Sequence, residues 1–253
     1  MSLTTILSNV DTRLPTGYFS STLTTTQKKS FVNEAQRWVC RAHNFDFLKR
    51  ECTQDTVDGS RRYALPDGTD TDFYSAAVWR FKEEISVELI DSDSEAIQLV
   101  RGHKEFIENI KANYDRSETG EPAQYAIDQF NIWLYPIPDH SKNDDTAWQI
   151  NLEYYGYLPD LSDTNTDNFL TAHCPEVLEY KTLALCFEIG QDYSDASYWE
   201  QKAFMALKEL ADEDFSAVHG GIETGTVPTS GNQVGAWENR AKVVTSGGYV
   251  DNS

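Results

Sequence analysis

Positive charge is scarce in this chain. Twenty-one Lys and Arg stand against 41 Asp and Glu, a formal net charge of −20 over 253 residues. A surface of that sign does not wrap nucleic acid, because phosphate binding needs a cationic face. It suits either plain solubility or a wall that repels passing phosphates. The deficit is uneven: residues 1–50 hold seven Lys/Arg against three acids, a net of +4, which leaves −24 for the remainder. Cysteine is also sparse. Cys40, Cys52, Cys174 and Cys186 include no C-x-x-C pair, so they read as reduced thiols of a protein that folds in the cytoplasm. The N-terminus has no basic segment or apolar core of a signal peptide, and no apolar run reaches membrane-spanning length. Neither G-x-S-x-G nor H-E-x-x-H occurs, and Gly220-Gly221 and Gly247-Gly248 lack the strand and helix that flank a phosphate loop.

What is present is the composition of a folded protein, 40% hydrophobic and 12% aromatic. The stretch 120–161 is its organising element. Ile132–Tyr135 is a β-favouring run stopped by Pro136 and Pro138, and residues 147–155 alternate, with Trp148, Ile150, Leu152 and Tyr154 on one face. The polar break 139–145 between the runs predicts that they pair as antiparallel strands. Upstream, Thr53–Val57 and Arg61–Leu65 flank Asp58-Gly59-Ser60, a hairpin signal. Phe45–Leu48 reads as short and alternating, residues 74–81, 85–90 and 124–130 as strands, and 96–114 as a helix capped from Asp91–Glu95.

Helical periodicity brackets this region. Residues 4–14 space Ile6, Val10 and Leu14 by four, and residues 27–43 present Phe31, Ala35, Trp38, Val39 and Ala42 as one stripe. Pro175 suits a first helical position, and the helix from it runs to Ile189 with Gly190 as its C-terminal cap. Ser194 or Asp195 caps the next, whose stripe is Trp199, Ala203, Ala206, Leu207 and Leu210. The short loop between them predicts an antiparallel hairpin. The first long helix covers its stripe only against these two. The expected fold is therefore α+β: a helical bundle domain of residues 1–44 and 168–218, an inserted antiparallel β-rich module at 45–162, and a C-terminal arm at 219–253. That last segment is Gly-, Ser-, Thr- and Asn-rich. It is either a loose tail or an arm that orders on a neighbour through Val234, Trp237, Val243, Val244 and Tyr249.

Candidate chemistry is thin. Asp163–Asp167 matches the first three ligand positions of a calcium loop, but position six is Asn168 and position twelve is Cys174, so the segment reads as a polar linker. His173 beside Cys174 lacks a third ligand at a useful spacing. No catalytic, cofactor or metal residue is assigned. Trp133, Tyr135, Trp148, Tyr154, Tyr155 and Tyr157 allow an alternative, stacking on sugar rings in a carbohydrate-binding or tail-associated glycan-hydrolysing module.

Four segments in order carry a resemblance: a helix with Ala35 and Trp38 followed by Phe45-Asp46-Phe47-Leu48; Tyr63-Ala64-Leu65-Pro66-Asp67; Gly120–Tyr125 leading to Ile132–Asp139; and Leu152–Tyr155 closing at Leu158–Leu161 before an acidic helical hairpin. Over residues 20–215 the chain resembles the head-to-tail adaptor proteins of tailed bacteriophages, the connector, gatekeeper or tail tubular protein A-like family. The resemblance implies a non-enzymatic virion protein at the head–tail interface, a homo-oligomeric ring of about twelve copies below the portal protein, a tail or nozzle protein docked on it, and DNA passing through without specific binding, cofactor or membrane. In such a ring Glu188, Asp192, Asp212, Glu213 and Asp214 would line or rim the channel.

Overall fold

The computed structural model describes residues 1–15, 23–69, 79–102 and 118–218, with side chains as far as 214. Contacts gather residues 1–218 into one compact unit. The described elements combine helices with largely antiparallel sheet, an α+β fold.

Five helices build the first core. α1 (Leu3–Arg13) is capped by Ser2 and α2 (Thr25–Ala42) by Thr24, whose side chain and that of Gln27 form a reciprocal capping box. After the short α3 (Phe169–His173) come α4 (Pro175–Ile189) and α5 (Tyr193–Val218). α4 packs against α5, α2, α1 and α3. It is buried all round, through Val177, Leu178, Thr182, Leu183, Cys186 and Phe187, so its sequence has no strong apolar stripe. Its buried Glu179 accepts a 2.5 Å hydrogen bond from Asn9 and lies 3.5 Å from the Arg13 guanidinium. α2 turns a different stripe inward from the one expected: Val32, Ala35, Gln36, Val39 and Cys40 are buried, Phe31 and Trp38 half-buried, and Ala42 exposed. Trp38 instead meets Phe204 edge-on at 5.3 Å and carries the Lys181 ammonium 5.1 Å from its ring. Bulky amphipathic aromatics sit at the margin of a stripe, where one edge stays wet.

Two sheets build the second core. One has the order β1 (Lys49–Asp55), β10 (Gln149–Tyr157), β3 (Arg80–Ile90), β4 (Ala96–Gln98), all antiparallel. The other has β2 (Arg62–Ala64), β8 (Asn131–Tyr135), β7 (Gln124–Asp128) and β5 (Val100–Arg101), the last pair parallel. β6 (Thr119–Gly120) and β9 (Ile137–Pro138) form a separate parallel pair. Inward residues of both four-stranded sheets, including Leu89, Ile132, Leu134, Trp148, Ile150, Leu152 and Tyr154, share one cluster. β10 alternates buried and half-buried residues along its whole length, as its sequence predicts.

Several pairings correct the sequence reading. β8 and β10 do not pair with each other; they lie in different sheets. The Asp58-Gly59-Ser60 turn exists, with Gly59 at φ +71°, but β1 joins β10 and β2 joins β8, so no hairpin forms across it. Residues 96–98 and 100–101 are strands rather than helix; 103–114 lie outside the described residues. Asp46–Leu48 is a 3₁₀ turn. Gly190 caps α4 in a right-handed conformation, and Gln191, at φ +60°, makes the left-handed step. The cap of α5 is Asp192, which accepts the Asp195 N–H at 3.2 Å.

The chain from β10 to α3 is fastened along α2. Gln36 donates to the carbonyls of Leu158 and Pro159 at 3.1 and 2.9 Å and accepts from Asn168 at 2.5 Å. Asn33 bonds both polar groups of Leu161, Arg37 pairs with Asp160, and Lys29 pairs with Asp163. Gln36 is fully buried. Gln36→Ala strands two carbonyls and an amide, and the expected loss is about 1–3 kcal/mol, read as a lower urea midpoint with an unchanged slope.

Candidate interaction surfaces

The described residues offer surfaces and a cleft rather than a reaction centre. No group of three or more His, Cys, Asp or Glu among them could hold a metal ion. Asp163 is engaged by Lys29 and Asp167 by the Thr166 hydroxyl, and His173 stacks on Phe169 at 4.5 Å. All four cysteines are buried, and none is in a disulfide. Burial pushes the Cys186 thiol up to about 12 and, with Glu176 and Glu213 nearby, the Cys174 thiol up to about 11. Those two thiols therefore stay protonated at pH 8, and all four, being buried, should be silent to Ellman's reagent until the protein is denatured. The same shifts, with Tyr154 raised by burial to about 12, favour the protonated folded state. Their stabilisation is complete below the ordinary pKa values and lost as pH rises through the folded ones.

The aromatic strand set divides. Trp148 and Tyr154 are core, and Tyr155 and Tyr157 pack on the helical cluster. Trp133 and Tyr135 remain half-buried on β8, with the Arg62 guanidinium 5.7 Å from the Trp133 ring. No single platform joins the six, which removes the feature that motivated sugar stacking.

The five acids also divide. Glu188 and Asp192 are exposed at the α4–α5 turn. Asp212 and Glu213 are exposed twenty residues along α5, about 30 Å away at helical rise. Asp214 accepts the Asp46 N–H at 3.0 Å and lies 3.7 Å from His43, tying α5 to the 3₁₀ turn. Val234, Trp237, Val243, Val244 and Tyr249 lie outside the described residues.

Two features were not anticipated. Tyr193, Tyr198, Phe204 and Met205 of α5 are exposed by 52–68%. Tyr198 and Met205 are seven apart, a helix-face spacing that could have flagged them. The second is a cleft of about 350 Å³ where α2, the start of β3 and the end of β10 meet. Arg37, Trp79, Arg80, Tyr157, Pro159 and Asp160 line it. Gly156 lets β10 pass close to Trp79: a Cβ there would come within 2.8 Å of the Trp79 Cβ. The Trp79 N–H donates to the Tyr154 hydroxyl at 3.1 Å, and that hydroxyl donates back to the Trp79 carbonyl at 2.8 Å. Arg50 lies 3.2 Å from the Trp79 ring centre. These partners come from segments distant in sequence, so no local motif announced them.

Among the described residues no helix is long and apolar enough to cross a membrane. No curated protein matches the chain. The family model of the SU10 adaptor protein matches residues 1–224, a span that takes in α1, which the resemblance had left out, and ends just past α5. With nearly nine-tenths of its length matched, and in keeping with the phage head-to-tail resemblance, the chain belongs to the SU10 adaptor protein family, a structural and not an enzymatic class.

Proposed function

We propose that this protein is a structural virion component that assembles as a ring, of about twelve copies, between the portal and the tail, and extends the channel through which DNA passes. The observation that carries the reading is the exposed apolar face of α5. Tyr193, Tyr198, Phe204 and Met205 are too large a set to leave in water on an acidic adaptor subunit. They are the surface on which a neighbouring copy stands. A closed ring needs a head-to-tail contact between two different surfaces, so α5 meets a different face of the next subunit. On this reading residues 1–44 and 168–218 act as the helical, ring-forming domain, 45–162 as the inserted module turned outward or toward the tail, and 219–253 as the arm that clasps portal or neighbour.

The acids follow from the same arrangement. Glu188 and Asp192 at one end of the hairpin, and Asp212 and Glu213 at the other, rim the channel and keep the duplex from sticking. Asp214 is left out of the test because it serves the 3₁₀ turn. Reversing the other four to Lys should slow DNA ejection or packaging while the subunit melts as before. Unchanged infectivity would remove the acids from the channel. The ring itself is tested by negative-stain microscopy of the portal mixed with this protein. An added ring of density on the portal is expected; a protein that stays monomeric beside unaltered portals sinks the proposal.

A further inference from the structure

We propose that the cleft between α2 and the end of β10 takes an extended, acidic peptide segment of a partner protein, with a carboxylate between Arg37 and Arg80 and an aromatic side chain on the Trp79–Tyr157 floor. The inference rests on the adaptor reading only for placing that partner in the virion. The cleft's own chemistry carries the rest.

Charge is the first argument. In a chain of net charge −20 this cleft still keeps guanidinium donors in reserve. Arg37 spends Nη1 alone on Asp160, at 2.9 and 3.1 Å from its two carboxylate oxygens, and that pair is partly open to solvent. Its other donors are not used by that pair. Arg80 is exposed, lies 4.6 Å from the centre of the Tyr157 ring, and has no carboxylate partner among the described residues. A guanidinium stacked on a ring keeps its edge free, and the edge is what a carboxylate binds in bidentate fashion. Asp67, the other acid on the wall, turns Oδ1 onto the Thr69 N–H and hydroxyl at 2.7 Å each.

The floor supplies the second argument. Trp79 is held by the paired Tyr154 bonds on its backbone and by the Arg50 stack, so binding does not have to order it first. A flat indole, a phenol ring and Pro159 side by side favour an aromatic or proline side chain. Size then limits the form of the ligand. A cleft of about 350 Å³ has room for a few side chains, which an extended segment presents on alternate positions. A duplex fails on range: the field of the whole acidic molecule acts on every phosphate, whereas one or two carboxylates meet mainly the local guanidinium groups.

The full-length protein, with ¹⁵N label on arginine, tests this. The probe is the peptide acetyl-Gly-Asp-Phe-Glu-Pro-Gly-amide, compared with its neutral isostere acetyl-Gly-Asn-Phe-Gln-Pro-Gly-amide. The expected result is saturable shifting of the Arg37 and Arg80 Nε–H resonances, at least tenfold weaker binding of the isostere, and at least tenfold weaker binding by Arg80→Gln. Arg80→Lys should not restore it, because an ammonium cannot both stack and fork. Arg80 is exposed, so these variants should melt like the parent. Equal binding of both peptides, no shift at millimolar peptide, or the same shifts produced more strongly by a short DNA duplex would each overturn the proposal. Ring formation on the portal, scored with the same variants, separates the two readings. A ring built by a chain that ignores the peptide removes the cleft proposal alone. Peptide binding by a chain that never forms a ring removes the ring alone.

Discussion

Trp148→Ala is expected to cost about 3–5 kcal/mol of folding stability, enough to leave a typical domain at the edge of unfolding. Trp148 is 1% exposed and lies in the cluster that both four-stranded sheets share. Its backbone carbonyl accepts the Thr56 N–H at 2.7 Å and the Thr56 hydroxyl at 3.0 Å, and its ring meets His140 edge-on at 6.1 Å. The indole therefore holds the two sheets together at the end of β10 where the chain enters. Truncation removes its buried area and leaves a void bounded by β-strands, which are tied by their ladders and collapse little. Urea denaturation should show the midpoint falling sharply at constant slope, and Trp148→Phe should recover most of the loss. A cost below about 1 kcal/mol would mean that the sheets do not depend on this contact.

That core was readable from the alternation of residues 148–154, and the helices from their periodicity, because burial on one side is written in the order of residues along an element. Pairing was not readable. The break 139–145 and the Asp58-Gly59-Ser60 turn both look like hairpin loops locally. Yet each carries the chain from one sheet to another, since the long β10 gains more from β1 and β3 on its two sides than from the strands just before it. The α2 stripe was misplaced for a related reason. Gln36 is polar in sequence but fully buried, because it serves the carbonyls of Leu158 and Pro159, and no helical period encodes a partner 122 residues away. The hairpin of α4 and α5 was legible, whereas its turn chemistry was not. Gly190 is the expected left-handed residue by type, but Gln191 takes that conformation. Of the interaction surfaces, the apolar face of α5 had a trace in the spacing of Tyr198 and Met205. The cleft had none, since Arg37, Arg80 and Tyr157 come from three elements.

Removing residues 219–253 is expected to leave a folded protein that fails to enter virions. The described members of both core clusters lie at or before Ala211, and residues 1–218 form a compact unit by themselves. The truncated chain should therefore keep its thermal midpoint to within about 2 °C, a change worth less than roughly 1 kcal/mol at this size. The loss in assembly follows from the arm's composition. Val234, Trp237, Val243, Val244 and Tyr249 are spaced through a polar segment of low core-forming capacity. Burying each on a partner gains about 1.5–3 kcal/mol, while fixing each residue of backbone costs about 1–2 kcal/mol. One arm thus gains little beyond the stretch near 234–244, and needs strand addition there to bind at all. In the proposed ring of about twelve copies the arms would act together, and weak single contacts would become a firm clasp by effective concentration. Trp237→Ala should consequently reduce incorporation steeply, because the loss is repeated in every copy, while a single arm peptide binds portal only weakly. Normal incorporation of the truncated protein would place the adhesive surface within residues 1–218, with the exposed face of α5 the next surface to test.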